Sequence, residues 1–174
     1  MNFRGKMNGS DSKKLTFWGA SPIIFIITIL YTIPVIIINY FLQPAFKISF
    51  IPYNILLVIA VFLLCIGIPL YITTLKVLKT AYRKRQLVKN GIFSVCRNPL
   101  FAVVIILILP GIILFFNSWL LLTIPCFMYF IFKIFISREE YLMEREFGQE
   151  YIKYKKSTSA IFPNIWKYKK QSGL

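Results

Sequence analysis

Polar residues that could carry chemistry are concentrated in two short islands of an otherwise apolar chain. The first island, Gly91–Phe101, contains Arg97, and the second island, Glu139–Gly148, begins with Glu139 and Glu140. A guanidinium can hold a carboxylate in a bidentate fork, and glutamates can accept hydrogen bonds from an ammonium group or from ribose hydroxyls. A pocket with Arg97 on one wall and these two glutamates on another would therefore bind a zwitterionic ligand. On this placement alone, we expect Arg97→Ala and Glu140→Ala each to lower ligand affinity without unfolding the protein.

The remaining candidate groups narrow the chemistry. The chain contains no histidine, which excludes Cys/His zinc sites, a histidine-based triad and a histidine general base, and we expect no metal site. Glu139 and Glu140 are the nearby groups that could take a proton from an amine substrate, whereas a substrate that is already anionic needs no base. Of the three cysteines, Cys65 and Cys126 fall within apolar segments as expected packing residues, and Cys96 lies in the first island without a nucleophile signature.

The islands must be positioned by membrane helices. Of the 174 residues, 57% are hydrophobic and 16% are charged, whereas about a quarter are charged in an average soluble domain. A membrane span needs about 20 apolar residues, which two segments exceed and two approach. The latter two are separated only by Asn117-Ser118, which indicates a tight helical hairpin. The four predicted spans are Pro22–Leu42, Asn54–Leu75, Leu100–Phe116 and Trp119–Ile136.

Basic residues flank these spans unevenly. The first 20 residues and the loop after the second span are rich in lysine and arginine. By contrast, Lys47 is the one charged residue in 43–53, and the 117–118 turn carries no charge. The positive-inside rule therefore places both termini, the segment 1–20 and both islands in the cytoplasm. We interpret the net charge of +15 as topology anchors and contacts with anionic lipids rather than as a nucleic-acid surface. The Ile- and Lys-rich composition is typical of an AT-rich bacterial genome and favours a bacterial inner membrane.

Helix signals place each island at the end of a span. The second span is predicted to continue as a helix through Lys76–Arg85 and to break at Asn90-Gly91, while Pro99 fits the first turn of the third span. The fourth span is predicted to continue through Ser137–Glu146, with Gly148 as its C-terminal cap. An amphipathic segment with two tyrosines on one face and an interfacial end should follow; these features are Tyr151, Tyr154, Pro163 and Trp166.

The predicted fold class is thus an all-α integral membrane protein with about four spans, a hairpin between spans 3 and 4, and cytoplasmic helical extensions. No repeat or linker divides the chain, so 1–174 is a single domain whose motifs lie in 87–165. Proline lacks the N–H that a helix interior needs, so each span should be locally kinked. The four prolines are Pro34, Pro69, Pro110 and Pro125.

The two islands also resemble a known family. Gly91-Ile92-Phe93-x-x-x-Arg97-Asn98-Pro99-x-Phe101 is similar to the Gly-Pro-Tyr-x-x-x-Arg-His-Pro-x-Tyr motif of isoprenylcysteine carboxyl methyltransferases, which belong with the phospholipid methyltransferases. The family's second motif is Glu-Glu-x-x-Leu, then Phe-Gly-x-x-Tyr-x-x-Tyr and a closing proline. Its matches here are Glu139, Glu140, Leu142 (one place early), Phe147, Gly148, Tyr151, Tyr154 and Pro163, so that the resemblance covers Leu87 to Pro163.

The resemblance implies an integral membrane methyltransferase that uses S-adenosylmethionine without a Rossmann domain. By carry-over, Arg97 and Glu140 would be the catalytic residues. The cofactor would be bound by both of these and by Gly91, Asn98, Pro99, Phe101 and Glu139. A lipophilic methyl acceptor would enter from the bilayer between the kinked helices, and membrane lipids would be the other partners.

Four residues differ from the family pattern. Asn98 replaces a histidine and cannot titrate near neutrality. Phe93 and Phe101 replace tyrosines, so two hydroxyls are lost, and Val103 replaces a common glycine and adds bulk. These differences bear on the substrate and on proton transfer.

Two alternatives stay open at this point. One is a membrane reductase of related fold that uses NADPH, and the other is a non-catalytic membrane protein. The methyl acceptor could be a prenylated protein, a phospholipid headgroup, a quinone-like lipid or a hydrophobic thiol, and a bacterial source disfavours the first. The oligomeric state is equally open.

Overall fold

The computed structural model describes residues 21–84 and 86–161, and every named element within these ranges is helical. Residues Pro163 and Trp166 and the segment 1–20 lie outside the described residues. The elements are α1 (Ser21–Phe41), α2 (Gln43–Phe46), α3 (Tyr53–Lys84), α4 (Ile92–Val95), α5 (Pro99–Val103), a π-helical segment (Val104–Ile108), α6 (Leu109–Leu114), a 3₁₀ turn (Leu120–Leu122), α7 (Thr123–Phe147) and α8 (Gln149–Ser157).

Three helices are long and apolar enough to cross a membrane, namely α1, α3 and the continuous helix Leu120–Phe147. The predicted third span is the shorter apolar helix Pro99–Leu114. At 1.5 Å per residue it is about 24 Å long, whereas a bilayer's hydrocarbon core is about 30 Å thick. The all-helical membrane fold is therefore confirmed, and the count of four spans and the hairpin between the last two stay predictions.

The helical extensions beyond the apolar segments are confirmed. Helix α3 continues to Lys84, and α7 continues to Phe147, so both carry their helical conformation into the charged regions. The chain then turns at Gly148, whose N–H donates to the Glu144 carbonyl over 2.9 Å. As a result, both islands sit at the same end of the helices.

Large apolar side chains cover the outer faces of the long helices. Phe62 of α3 and Phe130 of α7 are each 62% exposed, and α1 exposes Leu30 to a similar extent. Such an extended apolar surface is unfavourable in water but is the ordinary lipid-facing surface of a membrane helix. The exposed positions include Cys65 and Cys126, so the prediction that these cysteines pack inside the protein is wrong.

The helices pack as neighbours around the Pro99–Leu114 helix and α7. Helix α3 packs along α5, the π-helical segment and α6, while α1 packs against α7. The contact between α3 and the Pro99–Leu114 helix is close because glycines line it: a Cβ atom added to Gly67 would lie 3.0 Å from Leu107 Cβ. Small residues at such a crossing let backbones approach, which favours helix association in a bilayer.

The π-helical segment Val104–Ile108 interrupts the Pro99–Leu114 helix just before Pro110. Proline has no N–H to donate to the carbonyl four residues earlier, here that of Ile106, so the regular hydrogen-bond ladder cannot continue through this turn. The irregularity that the prolines predict is therefore present in this helix as a change of helical type.

The buried core lies directly beside the first island. Phe101 packs between Phe25 of α1, at a ring-centroid distance of 6.1 Å, and Phe132 of α7, at 5.0 Å. Ile24 and Phe132 are fully buried in the same cluster. This cluster thus holds together the start of α1, the start of α5 and the middle of α7, next to the polar residues of the first island.

Candidate functional site around Arg97 and Glu140

The structure brings the two islands into direct contact. Arg97 Nη2 donates to Glu140 Oε1 over 2.7 Å, and the two side chains are only 11% and 9% exposed. The expected arrangement placed Arg97 on one wall of a pocket and Glu139 and Glu140 on another. In the structure, Arg97 and Glu140 are each other's direct partners.

The ion pair continues into a small network. Glu140 Oε2 lies 2.8 Å from Lys155 Nζ, which also lies 2.8 Å from Glu144 Oε1. These hydrogen bonds to Glu140 and Glu144 raise the pKa of Lys155 above its ordinary value. Glu140 and Glu144 share one face of α7 because they are four residues apart. Lys155 reaches them from α8, on the other side of the turn at Gly148.

A segment after α8, which we call the C-terminal strap (Thr158–Ile161), lies along the first island. The Arg97 N–H donates to the Ser159 carbonyl over 2.8 Å, and the Asn98 N–H donates to the Ala160 carbonyl over 3.0 Å. The Asn98 side chain adds a bond from Nδ2 to the same Ala160 carbonyl. Arg97 therefore forms part of a short parallel pairing as well as an ion pair.

The guanidinium of Arg97 reinforces this attachment. Its Nη1 donates to the carbonyls of Lys155 and Thr158, each over 2.5 Å. Its Nε is buried and has no hydrogen-bond partner among the described residues. Nε and Nη2 form one fork of the guanidinium, and only the Nη2 half of that fork is used by Glu140. The unused Nε donor is suited to an oxygen atom of a bound ligand.

Helix α8 closes over the first island through its two tyrosines. Tyr151 and Tyr154 are both buried, which confirms that they share the inward face of this segment. Tyr154 Oη donates to the Phe93 carbonyl over 2.6 Å, and burial raises the pKa of both tyrosines. Both hydroxyls are therefore neutral, and that of Tyr154 is a structural donor to the Phe93 carbonyl.

The other predicted site residues fall into different environments. Pro99 and Phe101 are buried in the core, where they support the island's backbone. Gly91 is exposed and adopts a positive φ of 63° before α4. Glu139 is half-buried beside Glu140 on α7. The structure thus joins Arg97, Asn98 and Glu140 in one network, and places Gly91 at the island's outer turn.

Sequence reasoning did not find Lys155 or the strap. The spacing of Glu140 and Glu144 indicated a shared face, but nothing marked which of the many basic residues would meet it. The strap was represented only by the closing proline Pro163, which lies outside the described residues. Backbone pairing between segments about 60 residues apart leaves no pattern of residue types, so the signal was absent.

Comparison with known proteins adds an independent finding. A family model described as phospholipid methyltransferase matches residues 55–150. No curated protein and no solved structure matches the chain. The matched range contains the whole first island together with Glu139 and Glu140, on which the resemblance in sequence rests. Because this range is more than half of the chain, the protein belongs to the phospholipid methyltransferase family, whose members transfer methyl groups at membranes.

Proposed function

We propose that this protein transfers the methyl group of S-adenosylmethionine to a lipophilic acceptor at the end of the helices where Arg97 meets Glu140. The observation that carries the proposal is the buried Arg97–Glu140 pair, which joins the two motifs and leaves Arg97 Nε without a partner among the described residues. Membership of the family favours methyl transfer over the NADPH reductase and the non-catalytic alternative.

The residues present fit this cofactor. The unused Nε donor of Arg97 suits one oxygen of the carboxylate of its amino-acid part, because a guanidinium N–H forms a charge-assisted hydrogen bond to a carboxylate. Glu139 and Glu140 supply carboxylate oxygens for its ammonium group or ribose hydroxyls. Asn98, Pro99, Phe101 and Gly91 shape the backbone around Arg97. When bound, S-adenosylmethionine supplies a methyl group on a cationic sulfonium.

The two glutamates have different environments, which separates their roles. Glu140 is held by two cations, Arg97 and Lys155, so both of its carboxylate oxygens are already engaged. Glu139 is the better candidate to take a proton from an amine acceptor. We therefore assign Glu140 to cofactor binding and positioning, and keep Glu139 as the candidate base.

The apolar core and Cys96 both bear on the proposed reaction. Methyl transfer requires alignment and exclusion of water more than acid–base catalysis. The rings of Phe25, Phe101 and Phe132 form an apolar floor beside Arg97 that would exclude water. Cys96 is excluded as a nucleophile, because burial raises its pKa to about 11 and keeps it as a thiol.

The acceptor is proposed to arrive from the bilayer. In a four-span topology with the Pro99–Leu114 helix crossing the membrane, the Arg97 network lies at the cytoplasmic surface, where the basic loops also lie. A lipid-linked acceptor would then reach the network along the lipid-facing surfaces of α1 and α3.

The decisive experiment is calorimetric titration of the detergent-purified full chain with S-adenosylmethionine, S-adenosylhomocysteine and NADPH. The informative variants are Arg97→Lys, which keeps the charge but loses the fork, and Glu140→Gln, which keeps the shape but loses the charge. Glu146→Gln is the matched control, because Glu146 is exposed on the same helix. Thermal unfolding of each variant shows whether it is folded.

We expect the intact protein and the Glu146 control to bind both adenosyl compounds, and both site variants to bind them at least tenfold more weakly while folded. Absence of binding by the intact protein would overturn the proposal. Binding of NADPH alone would replace it by the reductase.

A further inference from the structure

A polar cleft lies next to the Arg97 network and is lined by side chains that do not belong to that network. It is an open cleft of about 330 Å³ between the loop before α4 and helix α8. This volume exceeds that of a phosphate ion and is in the range that holds a small polar molecule or a lipid headgroup. Six of its lining side chains carry a charge or an aliphatic hydroxyl, namely those of Lys89, Ser94, Glu150, Lys153, Ser157 and Thr158.

The charges around the cleft are predominantly positive. Lys89 Nζ pairs with Glu150 Oε1 over 2.6 Å, and both side chains are about half exposed. Lys153, one turn after Glu150 on α8, is exposed and has no ion pair within 21–84 and 86–161. Two ammonium groups therefore face a single carboxylate, which leaves a net positive charge at the cleft.

Hydroxyl groups line the rest of the cleft. Ser94 Oγ donates to the Gly91 carbonyl over 2.7 Å, which fixes its oxygen at the rim. Ser157 Oγ donates to the Tyr154 carbonyl over 2.9 Å and lies 3.4 Å from Thr158 Oγ1. Because Ser157 has already given its proton to a carbonyl, the Thr158 hydroxyl is the donor in its contact with Ser157.

We propose that this cleft binds a phosphate group, carried either by a lipid headgroup or by a soluble phosphate ester. Lysine ammonium groups bind phosphate as mobile point charges, and the hydroxyls keep the wall of the cleft polar. Lys153 is the principal cation, and Lys89 divides its charge between Glu150 and the phosphate. The site shares no charged side chain with the Arg97 network, so it does not depend on the proposed methyl transfer.

The opposing charges in the cleft give a test with two signs. Lys153→Gln removes attraction and is expected to weaken phosphate binding about fivefold. Glu150→Gln removes repulsion and releases Lys89, so it is expected to strengthen binding by a similar factor. Lys156→Gln is the matched control, because Lys156 is exposed on the same helix and does not line the cleft.

The experiment titrates the full chain in uncharged detergent with inorganic phosphate and with glycerol 3-phosphate, by calorimetry at low ionic strength. A second arm reconstitutes the chain in nanodiscs with or without phosphatidylglycerol and measures co-purifying lipid phosphate after re-extraction. Neither arm contains S-adenosylmethionine, so failure here is distinguishable from failure of the methyltransferase proposal.

Two outcomes support the proposal and identify the source of the phosphate. Binding of both soluble compounds with the predicted order of variants indicates a site open to free phosphate esters. Retention of phosphatidylglycerol alone, with the same order of variants, indicates a lipid headgroup. The proposal is overturned if neither arm shows binding, or if Lys153→Gln and Lys156→Gln weaken binding equally, because general surface charge would then account for the result.

Discussion

The carboxylate of Glu140 lies 2.7 Å from the guanidinium of Arg97, although 43 residues separate them in the chain. Both side chains are nearly buried, so the pair has been removed from water together with the backbone before α5 and the face of α7 that carry it. Desolvation makes such a pair costly to leave half made: loss of Glu140 leaves the buried Arg97 guanidinium without its carboxylate, and loss of Arg97 leaves Glu140 with Lys155 alone. The buried ion pair therefore affects how much stability each single mutation should cost.

We expect Arg97→Ala or Glu140→Ala alone to lower the free energy of unfolding by about 3–5 kcal/mol. The expectation from sequence that neither variant unfolds the protein stays a prediction, and the buried pair adds that each variant should be less stable. The double variant Arg97→Gln/Glu140→Gln should lose much less than the sum of the single losses, because it leaves no unpaired buried charge. Thermal or denaturant unfolding in detergent gives the values, and strictly additive losses would contradict the structure.

How much of the site the sequence could predict depends on the range of each interaction. Glu139 and Glu140 were found because they follow an apolar run at once, and Arg97 because it precedes Pro99. The direct pairing of Arg97 with Glu140 could not be predicted, since a contact over 43 residues depends on how the first island packs on α7. Lys155 was hidden for the same reason, because many exposed lysines surround it in sequence.

The crossing of α3 with the Pro99–Leu114 helix should be sensitive to single methyl groups. A Cβ atom on Gly67 would meet Leu107 Cβ at 3.0 Å, and Leu107 Cβ cannot move without its backbone. A Cβ atom on Gly111 would meet the side chain of Leu64 at 2.9 Å, which can rotate aside more easily. We therefore expect Gly67→Ala to destabilise the protein by about 1–3 kcal/mol and Gly111→Ala by less.

The measurement is the thermal unfolding midpoint of each variant in the same detergent. Val58→Ala, on the lipid-facing side of α3 where the residue is 69% exposed, is the control for a small change on the same helix. If Gly67→Ala unfolds at the temperature of this control, the close approach of the two helices is not a source of stability.

The turn between α7 and α8 should depend on glycine for its backbone conformation alone. Gly148 has φ 55° and ψ −133°, and an added Cβ atom would meet nothing within 4 Å. Gly148→Ala should therefore cost about 1–3 kcal/mol through backbone strain and not through a clash. Gly148→Asn should not rescue it, because the left-handed region that asparagine tolerates has a positive ψ.

Gln149→Ala, at the exposed first residue of α8, is the control and should be nearly neutral. Unfolding midpoints separate the three variants. Equal stability of the alanine and asparagine variants with the unmodified protein would show that α8 does not need this turn to bring Lys155 to Glu140.

The thiol of Cys96 should make stability fall at alkaline pH. Burial raises its pKa from 9.0 to about 11, so the folded chain holds the proton more tightly than the unfolded chain. Below pH 9.0 both states are protonated and the group has no effect. Between pH 9.0 and 11 the unfolded chain loses the proton first, so the free energy of unfolding decreases as pH rises.

The check is the difference in unfolding free energy between the unmodified protein and Cys96→Ala, measured from pH 8 to 11. Tyr151 and Tyr154 are present in both proteins, so most of their own titration cancels in the difference. We expect the advantage of the unmodified protein to shrink steadily above pH 9.0. A difference that stays constant across this interval would show that Cys96 is not buried as a thiol.

The fold was predictable where a pattern is local. Apolar runs gave α1 and α3, and Gly148 marked the end of α7, because each depends on neighbouring residues only. The shortness of the Pro99–Leu114 helix and its π-helical segment were harder to foresee, since the loss of one proline N–H can be absorbed by a kink or by a change of helical type. The orientation of Cys65 and Cys126 toward the outside was missed because an all-apolar helix does not reveal which face meets lipid.

Whether the Pro99–Leu114 helix crosses the membrane decides the topology, and the prediction is that it does. Its apolar length of about 24 Å is short but is within reach of a locally thinned bilayer. Phe116, just beyond this helix, is 57% exposed, and Lys89, before it, is 44% exposed in its side chain. In a Cys65→Ser/Cys126→Ser background, a membrane-impermeant maleimide should label Phe116→Cys in intact cells and Lys89→Cys only in inverted vesicles. Labelling of both positions from the same side would mean that the Pro99–Leu114 helix enters and leaves the same leaflet, and would remove the four-span arrangement from which a bilayer route to Arg97 and Glu140 is proposed.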